Sequence, residues 1–291
     1  MNSQYEIYKL CNFYGINKVK LPKVKLFILS IMGGFFVGLG GLASSVCNYH
    51  FYYGLGQYYS GLVFPIGIML AYIAGAELFT ENCLLVIPFF VNNITLLEML
   101  LTWLIVLIGN FIGSILISLL VAYSHIPNMF DVNLAQNIIN YGINKCSLNF
   151  GEAFIKGLLG NFYSCLAIWV CLGGRDLRSM ILALWIPSFL LASCELEHVV
   201  ANMYYIIVGL FTCYEYGLDS TILTWGRLFY KNLIPVLMGN ILGGGALVGM
   251  GYSFINSDYE KTSSSIKKYE TSNDSKADLH NDLNTLSSLN K

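Results

Sequence analysis

Four stretches of this 291-residue chain contain no charged residue and no histidine, and each exceeds the roughly 20 residues that cross a bilayer as a helix. They cover residues 26–49, 51–76, 99–124 and 232–257. Only 11% of all residues are charged, whereas an average soluble domain has about 25%. The chain is therefore predicted to be an all-α membrane protein that crosses the bilayer several times.

Shorter uncharged stretches between these four complete a prediction of six membrane passages. The predicted passages 1 to 6 cover about 25–47, 57–91, 97–123, 152–173, 178–213 and 229–255. Passages 2 and 5 are longer than one bilayer requires, and each has acidic or polar residues part-way, near 75–82 and 194–198. Unwound backbone at membrane depth is tolerated only where it is buried in protein or lines a cavity. Both helices are therefore predicted to be broken.

The segments on either side of the six passages are polar. Residues 1–24 form the predicted N-terminal segment, residues 25–256 the predicted six-helix membrane domain, and residues 257–291 a tail too poor in apolar residues to fold. Twelve of the sixteen basic residues fall on the side of the two termini. The positive-inside rule therefore predicts that both termini are cytoplasmic.

The sequence also repeats itself. IGNFIGS (108–114) in passage 3 matches MGNILGG (238–244) in passage 6, and this alignment pairs Asn110 with Asn240. The break AELFTEN (76–82) matches the break ELEHVVAN (195–202). Because three passages make up each repeat, the second must be inverted relative to the first. Inverted repeats with paired broken helices are typical of transporters and channels.

Other classes of protein fit the sequence less well. A net charge of −1 without a basic stripe gives no indication of nucleic-acid binding. The eight cysteines include no C-x-x-C pair, so we expect neither a disulfide framework nor a metal site, and we expect no cofactor. The chain has no G-x-S-x-G, no H-E-x-x-H and no aspartate pair within the membrane, and it is not expected to be an enzyme. A scaffold without a pore would leave the two breaks without a purpose.

Six motifs, in order and at matching spacing, resemble the formate–nitrite transporter family over about residues 15–255. They are IMGGFFVGLGG (31–41), GAELFTEN (75–82), IGNFIGSIL (108–116), KGLLGNFYSCLAIW (156–169), ELEHVVANMYYI (195–206) and KNLIPVLMGNILGGG (231–245). The resemblance implies an aquaporin-like fold, a homopentamer with a pore in each protomer, and passage of small monovalent anions or their acids. The low-complexity tail favours a protist member, which implies lactate or formate moved together with protons.

The resemblance also implies which residues line the pathway. His198 matches the single pore histidine of the family, and Thr80 matches the threonine that faces it from the other break. Imidazole exchanges a proton near neutral pH, which suits a weak-acid pathway. Without the family, His198 could be a core histidine and Thr80 could bond its own backbone.

Three apolar and three polar residues complete the predicted pathway. The resemblance places constriction side chains at Phe64, Ile68 and Leu191, and places Asn161, Lys156 and Lys18 along passage 4 and at the two vestibules. Lysines in such funnels concentrate anions, although both could instead extend to the membrane interface. The three apolar residues could equally be ordinary helix residues.

Three further residues, Glu77, Glu197 and Asn202, are predicted to support the two breaks. Glu197 is expected to bond loop backbone, whereas Asn110 and Asn240 are assigned to helix packing. Glu195 departs from the family, which typically has glycine there. A second buried carboxylate beside His198 would be protonated or would favour a charged imidazole.

The predicted function is transport of formate, lactate or acetate together with protons, in the plasma membrane. The anion would take a proton from water or through His198 and pass the constrictions as the neutral acid, which avoids the cost of burying an anion. A nitrite or hydrosulfide channel of the same family is the alternative. An aquaporin-like channel for neutral solutes fits less well, because the breaks read T-E-N and V-A-N rather than N-P-A.

Overall fold

The computed structural model describes residues 1–50, 55–130, 133–218 and 220–256, and all regular structure in these residues is helical. The predicted disordered tail, residues 257–291, lies outside the described residues. All eight cysteines lie within them as free thiols, and six are buried.

Passages 1, 3, 4 and 6 are single helices that are long and apolar enough to cross a membrane. They are Lys23–His50, Leu96–Tyr123, Phe150–Gly173 and Trp225–Asn256. Passage 6 includes stretches of π-helix, at Leu228–Leu233 and Ile241–Met250. These four predicted passages and their approximate ends are confirmed.

Passages 2 and 5 each consist of shorter helices in series. Passage 2 comprises Leu55–Val63, Pro65–Ile73 and Phe79–Phe90, and passage 5 comprises Leu177–Ser193 and Val199–Tyr216. Both predicted breaks are confirmed. Passage 2 has an additional interruption at Phe64, because Pro65 supplies no backbone N–H and instead begins the next helix.

Two helices outside the six passages were not predicted. An N-terminal helix, Gln4–Lys20, begins at a capping box formed by Ser3 and Glu6, and a linker helix, Asn133–Ser147, joins passages 3 and 4. The linker helix is amphipathic and buries Leu134, Ile138 and neighbouring residues. A search for long uncharged stretches does not find helices of this kind.

Glycines bring the backbones of passages 1 and 3, and of passages 4 and 6, into direct contact. A Cβ atom on Gly113 would collide with the Ile31 carbonyl, and one on Gly243 would collide with the Leu158 carbonyl. Small residues at these positions let the helix backbones approach closely. This packing sets passages 3 and 6 directly beside the breaks.

Candidate functional site

Each break is held by one asparagine from the third helix of its own repeat. Asn110 Oδ1 accepts from the Phe79 N–H at 2.9 Å, and Asn110 Nδ2 donates to the carbonyls of Glu77 (2.8 Å) and Ser30 (2.7 Å). The side chain is fully buried. It therefore satisfies backbone groups that the unwound chain would otherwise leave without partners.

Asn240 repeats this arrangement in the second half. Its Oδ1 accepts from the Val199 N–H at 2.9 Å, and its Nδ2 donates to the carbonyls of Glu197 (3.0 Å) and Gly157 (2.7 Å). The predicted helix-packing role of Asn110 and Asn240 accounts for only part of this arrangement, namely their bonds to Ser30 and Gly157. Both side chains bond the unwound segments, and the repeat alignment that pairs them contained the signal.

Each break also carries a carboxylate paired with a lysine. Glu77 Oε2 lies 2.8 Å from Lys18 Nζ in the N-terminal helix, and Glu197 Oε1 lies 2.6 Å from Lys145 Nζ in the linker helix. The second pair is more deeply buried, with side-chain exposures of 13% for Lys145 and 2% for Glu197. The two unpredicted helices therefore supply equivalent counter-charges to the two breaks.

The Glu197 carboxylate bonds side chains rather than loop backbone, which corrects the prediction. Its Oε2 accepts from Asn202 Nδ2 at 2.6 Å and from Asn232 Nδ2 at 3.3 Å. Asn82 Nδ2 donates to Glu77 Oε2 at 2.9 Å in the same way. The predicted support residues Glu77, Glu197 and Asn202 thus belong to two matching networks.

Lys145 was not singled out from the sequence, although the repeat points to it. Lys18 lies fifteen residues before Gly33, and Lys145 lies fifteen residues before Gly160. A Cβ atom on Gly33 would collide with the Glu77 carbonyl, and one on Gly160 would collide with the Glu197 carbonyl. The two glycines are equivalent, so extending the repeat towards the N-terminus pairs the two lysines.

Thr80 and His198 meet between the two breaks. Thr80 Oγ1 lies 2.9 Å from His198 Nε2, and the two residues are 0% and 1% exposed. His198 is the N-cap of Val199–Tyr216, and Thr80 is the second residue of Phe79–Phe90. The N-termini of the two half-helices therefore face each other at this contact, where their dipoles create a positive potential.

The hydrogen bonds of His198 define its tautomer. Its Nδ1 accepts from the Ala201 N–H at 3.2 Å, so a neutral ring carries its proton on Nε2 and donates it to Thr80 Oγ1. The Thr80 hydroxyl hydrogen then remains free to donate to another acceptor. A second ring proton would break the N-cap bond and meet the positive helix end.

Asn161 and Cys165 of passage 4 hold the backbone behind Thr80. Asn161 Nδ2 donates to the Thr80 carbonyl at 3.2 Å and to the Asn240 carbonyl at 2.8 Å. Cys165 Sγ lies 3.2 Å from the same Thr80 carbonyl. Asn161, predicted to line the pathway, connects the first break to passage 6 and orients Thr80; it does not line either of the two cavities described below.

One cavity adjoins His198, and we call it the Lys156 cavity. Among its lining residues are Lys156, Lys145, Glu195, Glu197, His198, Phe64 and Leu191. Phe64 and Leu191 are each 2% exposed. This cavity thus brings together two predicted constriction residues, the predicted vestibule lysine and the predicted pore histidine. Lys156 forms no ion pair among the described residues, so its charge is available to a ligand.

A second cavity adjoins the first break, and we call it the Lys18 cavity. Among its lining residues are Lys18, Glu77, Glu81, Asn82, Cys11, Tyr14, Tyr72, Leu84 and Ile168. It shares no lining residue with the Lys156 cavity. Lys18 is already paired with Glu77, so it is less available to a ligand than the prediction implied. Glu81, which was not predicted as a site residue, adds a second carboxyl group.

Ile68 is the one predicted constriction residue that the structure does not place at either cavity among the described residues. It lies one helical turn after Phe64 on the same face and is 4% exposed. Its burial fits both a constriction and ordinary packing, so its predicted role stays a prediction.

Glu195 has an unusual backbone conformation. Its φ is +52°, in the left-handed region that disfavours residues with a Cβ atom. Gly75 occupies the equivalent place in the first break, with φ +73°. This geometry explains why glycine suits the position. Glu195 is exposed at the Lys156 cavity, so the expected second buried carboxylate beside His198 is not found.

Replacing Glu195 with glycine is expected to stabilise the protein by about 1 kcal/mol, because glycine adopts positive φ without strain. The melting temperature of the purified protein in detergent measures this effect. The matched change Gly75→Ala, at φ +73°, should lower the melting temperature. A Glu195→Gly variant that melts below the wild type would contradict the assigned strain.

Lys145→Met is expected to destabilise the protein by about 3–5 kcal/mol, because it leaves the Glu197 carboxylate buried without its cation. Lys18→Met should cost less, since Lys18 is 26% exposed and water can replace it. Thermal unfolding compares the two variants, with Lys25→Met at an exposed position as the control. Equal losses at Lys18 and Lys145 would argue against the difference in burial as the cause.

Comparisons with known proteins agree with this architecture. The model of the formate/nitrite transporter family matches residues 5–254. The uncharacterized transporter YrhG of Bacillus subtilis is 32% identical over 243 residues, which are 82% of this chain and 87% of YrhG. A formate-nitrite transporter of Plasmodium vivax is 30% identical over 278 residues, 88% of this chain and 86% of the relative. Relatives of bacterial and of protist origin are thus similar to nearly the same degree.

A solved structure described as a pentameric formate channel with formate bound has the same fold. It superposes with a TM-score of 0.71 at 28% sequence identity, and the match covers 80% of this chain and 97% of the channel. The family match covers residues 5–254, which include both breaks described above. The chain therefore belongs to the formate/nitrite transporter family, as a multi-pass integral membrane protein and not an enzyme.

Proposed function

We propose that the protein passes small weak acids, with formate, acetate and lactate as the substrate class, across the membrane together with protons. The observation that carries this proposal is the placement of the buried Thr80–His198 contact between two cavities that share no lining residue. In this proposal six passages, arranged as two inverted repeats, place the cavities on opposite sides of the bilayer. The Lys18 cavity faces the cytoplasm, where the positive-inside rule puts both termini.

The charges and apolar groups favour entry as an anion and passage as an acid. Lys156, which has no ion pair among the described residues, attracts the anion into its cavity. Beyond it, Phe64 and Leu191 leave little room for water, so a bare carboxylate would lose its hydration there. Taking a proton from cavity water removes this cost.

His198 acts as a neutral hydrogen-bond donor in this mechanism. The N-cap bond to Ala201 and the positive helix end both oppose a second ring proton, which argues against the predicted proton relay through His198. Its Nε2–H and the Thr80 hydroxyl can each donate to a carboxyl oxygen that displaces their mutual contact. The substrate thus keeps a hydrogen-bond partner at the narrowest point.

The relatives and the composition support proposals for the assembly and the location of the protein. The solved relative is a pentamer, and we propose a homopentamer with a pathway in each protomer. Exposed leucines and isoleucines along the passages supply the apolar surface that lipid and neighbouring copies would cover. The plasma membrane, the cytoplasmic termini and a protist-like substrate preference remain predictions of the sequence.

Uptake of labelled formate into proteoliposomes is expected to rise as external pH falls, because more of the substrate is then the neutral acid. His198→Phe should abolish this uptake, since phenylalanine supplies neither the donor to the substrate nor the N-cap acceptor. His198→Asn should retain part of it, because asparagine can cap the helix and donate a hydrogen bond.

His125→Asn, which changes an exposed loop histidine with positive φ to a residue that tolerates this conformation, is the matched control. Unchanged and pH-independent formate flux in His198→Phe would overturn the proposal. Labelled nitrite and lactate, measured at the same two pH values, separate the substrate candidates. Preferred uptake of nitrite would favour the nitrite channel of the same family over a monocarboxylate pathway.

A further inference from the structure

Glu81 is a buried carboxyl group that the proposed mechanism does not use. It follows Thr80 directly in the first break, is 6% exposed and lines the Lys18 cavity. Its Oε1 has no hydrogen-bond partner among the described residues. An ionised carboxylate in this position is poorly compensated, so the oxygen requires a proton or a ligand that donates one.

The repeat indicates that the fold itself does not require this carboxyl group. The networks pair Glu77 with Glu197 and Asn82 with Asn202, so the same register pairs Glu81 with Ala201. A methyl group therefore suffices at the equivalent place in the second half. The carboxylates that support the breaks are Glu77 and Glu197, and Glu81 has no counterpart.

An ionised Glu81 carboxylate would give the Lys18 cavity an excess of negative charge. Lys18 is the one cation among the described residues that line the cavity, and its ammonium group is 2.8 Å from Glu77 Oε2. The titratable groups that face Glu81 are Lys18, Cys11 and Tyr14 of the N-terminal helix, Glu77 and Tyr72 of passage 2, and Cys165 and Cys171 of passage 4. His198 of passage 5 lies beyond Thr80. With Glu81 protonated, the charged groups of the cavity balance; with Glu81 ionised, the cavity is negative.

We propose that Glu81 exchanges a proton with the substrate in the Lys18 cavity. This inference rests on the proposed function and adds the group that handles the proton on that side. The Glu81 O–H bond breaks as an O–H bond forms on the carboxylate of the substrate, which leaves an ionised Glu81 and a neutral acid. Cavity water then returns a proton to Glu81. In the opposite direction Glu81 first releases its proton to cavity water, and the ionised carboxylate then takes the proton of the arriving acid, which leaves as the anion.

The same charge balance couples the proton to the anion. An anion enters more readily when Glu81 is protonated, because the cavity then carries no net charge from its described residues. By reciprocity, an anion in the cavity favours the protonated form of Glu81. Proton and anion therefore bind together on this side, as a symport mechanism requires.

Equilibrium exchange of labelled formate, at equal pH on both sides of proteoliposomes, tests this role through the variant Glu81→Gln. At about pH 7.5 neutral formic acid is scarce, and loss of the proton-exchanging group should slow exchange on the order of ten- to a hundredfold. At about pH 5 the bulk supplies far more neutral acid, so the loss should shrink to less than about twofold.

Two further variants separate proton exchange from a structural effect. Glu81→Asp keeps a carboxyl group and should restore much of the exchange at the higher pH, whereas Glu81→Ala, which copies Ala201 of the other repeat, should behave like Glu81→Gln. Glu215→Gln, at an exposed carboxyl group near the end of passage 5, is the matched control. An equal loss at both pH values, or no loss at either, would overturn the assignment of Glu81.

A readout without transport keeps the two proposals distinguishable. Infrared difference spectra of the purified protein, recorded on changing pH, should contain a protonated-carboxyl C=O band that Glu81→Gln removes and Glu215→Gln does not. If the wild type does not move formate, the proposed function fails, and this band still tests Glu81 as a proton site. If the wild type moves formate and no such band is lost, proton exchange at Glu81 is wrong.

Discussion

The structure depends on satisfying the backbone of two unwound segments at membrane depth, where no lipid group can replace water as a hydrogen-bond partner. Asn110 and Asn240 meet this requirement, and each bonds three backbone groups on two neighbouring segments. These bonds fix where the second half-helices begin. They therefore determine that Thr80 and His198 meet, and that two helix N-termini face each other there.

The two halves are alike where they support the breaks and differ at the Thr80–His198 contact between the breaks. The Glu77–Lys18 and Glu197–Lys145 pairs are equivalent, as are the two asparagines of passages 3 and 6. Thr80 instead corresponds to Val200, and His198 corresponds to Leu78, by the register that pairs the two breaks. A symmetric scaffold thus holds an asymmetric pair of polar side chains, and the residues that depart from the repeat are the candidates for function.

Much of this arrangement could be predicted from the sequence. Uncharged stretches locate passages 1, 3, 4 and 6, because a bilayer of fixed thickness requires them, and acidic residues inside apolar stretches locate the breaks. The family resemblance assigns five residues to the predicted pathway: His198, Thr80, Phe64, Leu191 and Lys156. The structure places all of them except Thr80 at one cavity, and Thr80 contacts His198.

The remaining features depend on geometry that spacing does not reveal. The amphipathic linker helix carries Lys145 to Glu197 across fifty-two residues of sequence. In the sequence Glu195 is conspicuous for its charge, whereas in the structure the positive φ at this position is what restricts the residue type. Only the structure shows that the Glu81 side chain is buried at a cavity and that its Oε1 lacks a partner among the described residues. We propose that the substrate crosses as a neutral acid, and a formate gradient across proteoliposomes containing a pH-sensitive dye tests this claim most directly. We expect a proton to accompany each formate and no current to flow, whereas a formate current without acidification would contradict the claim.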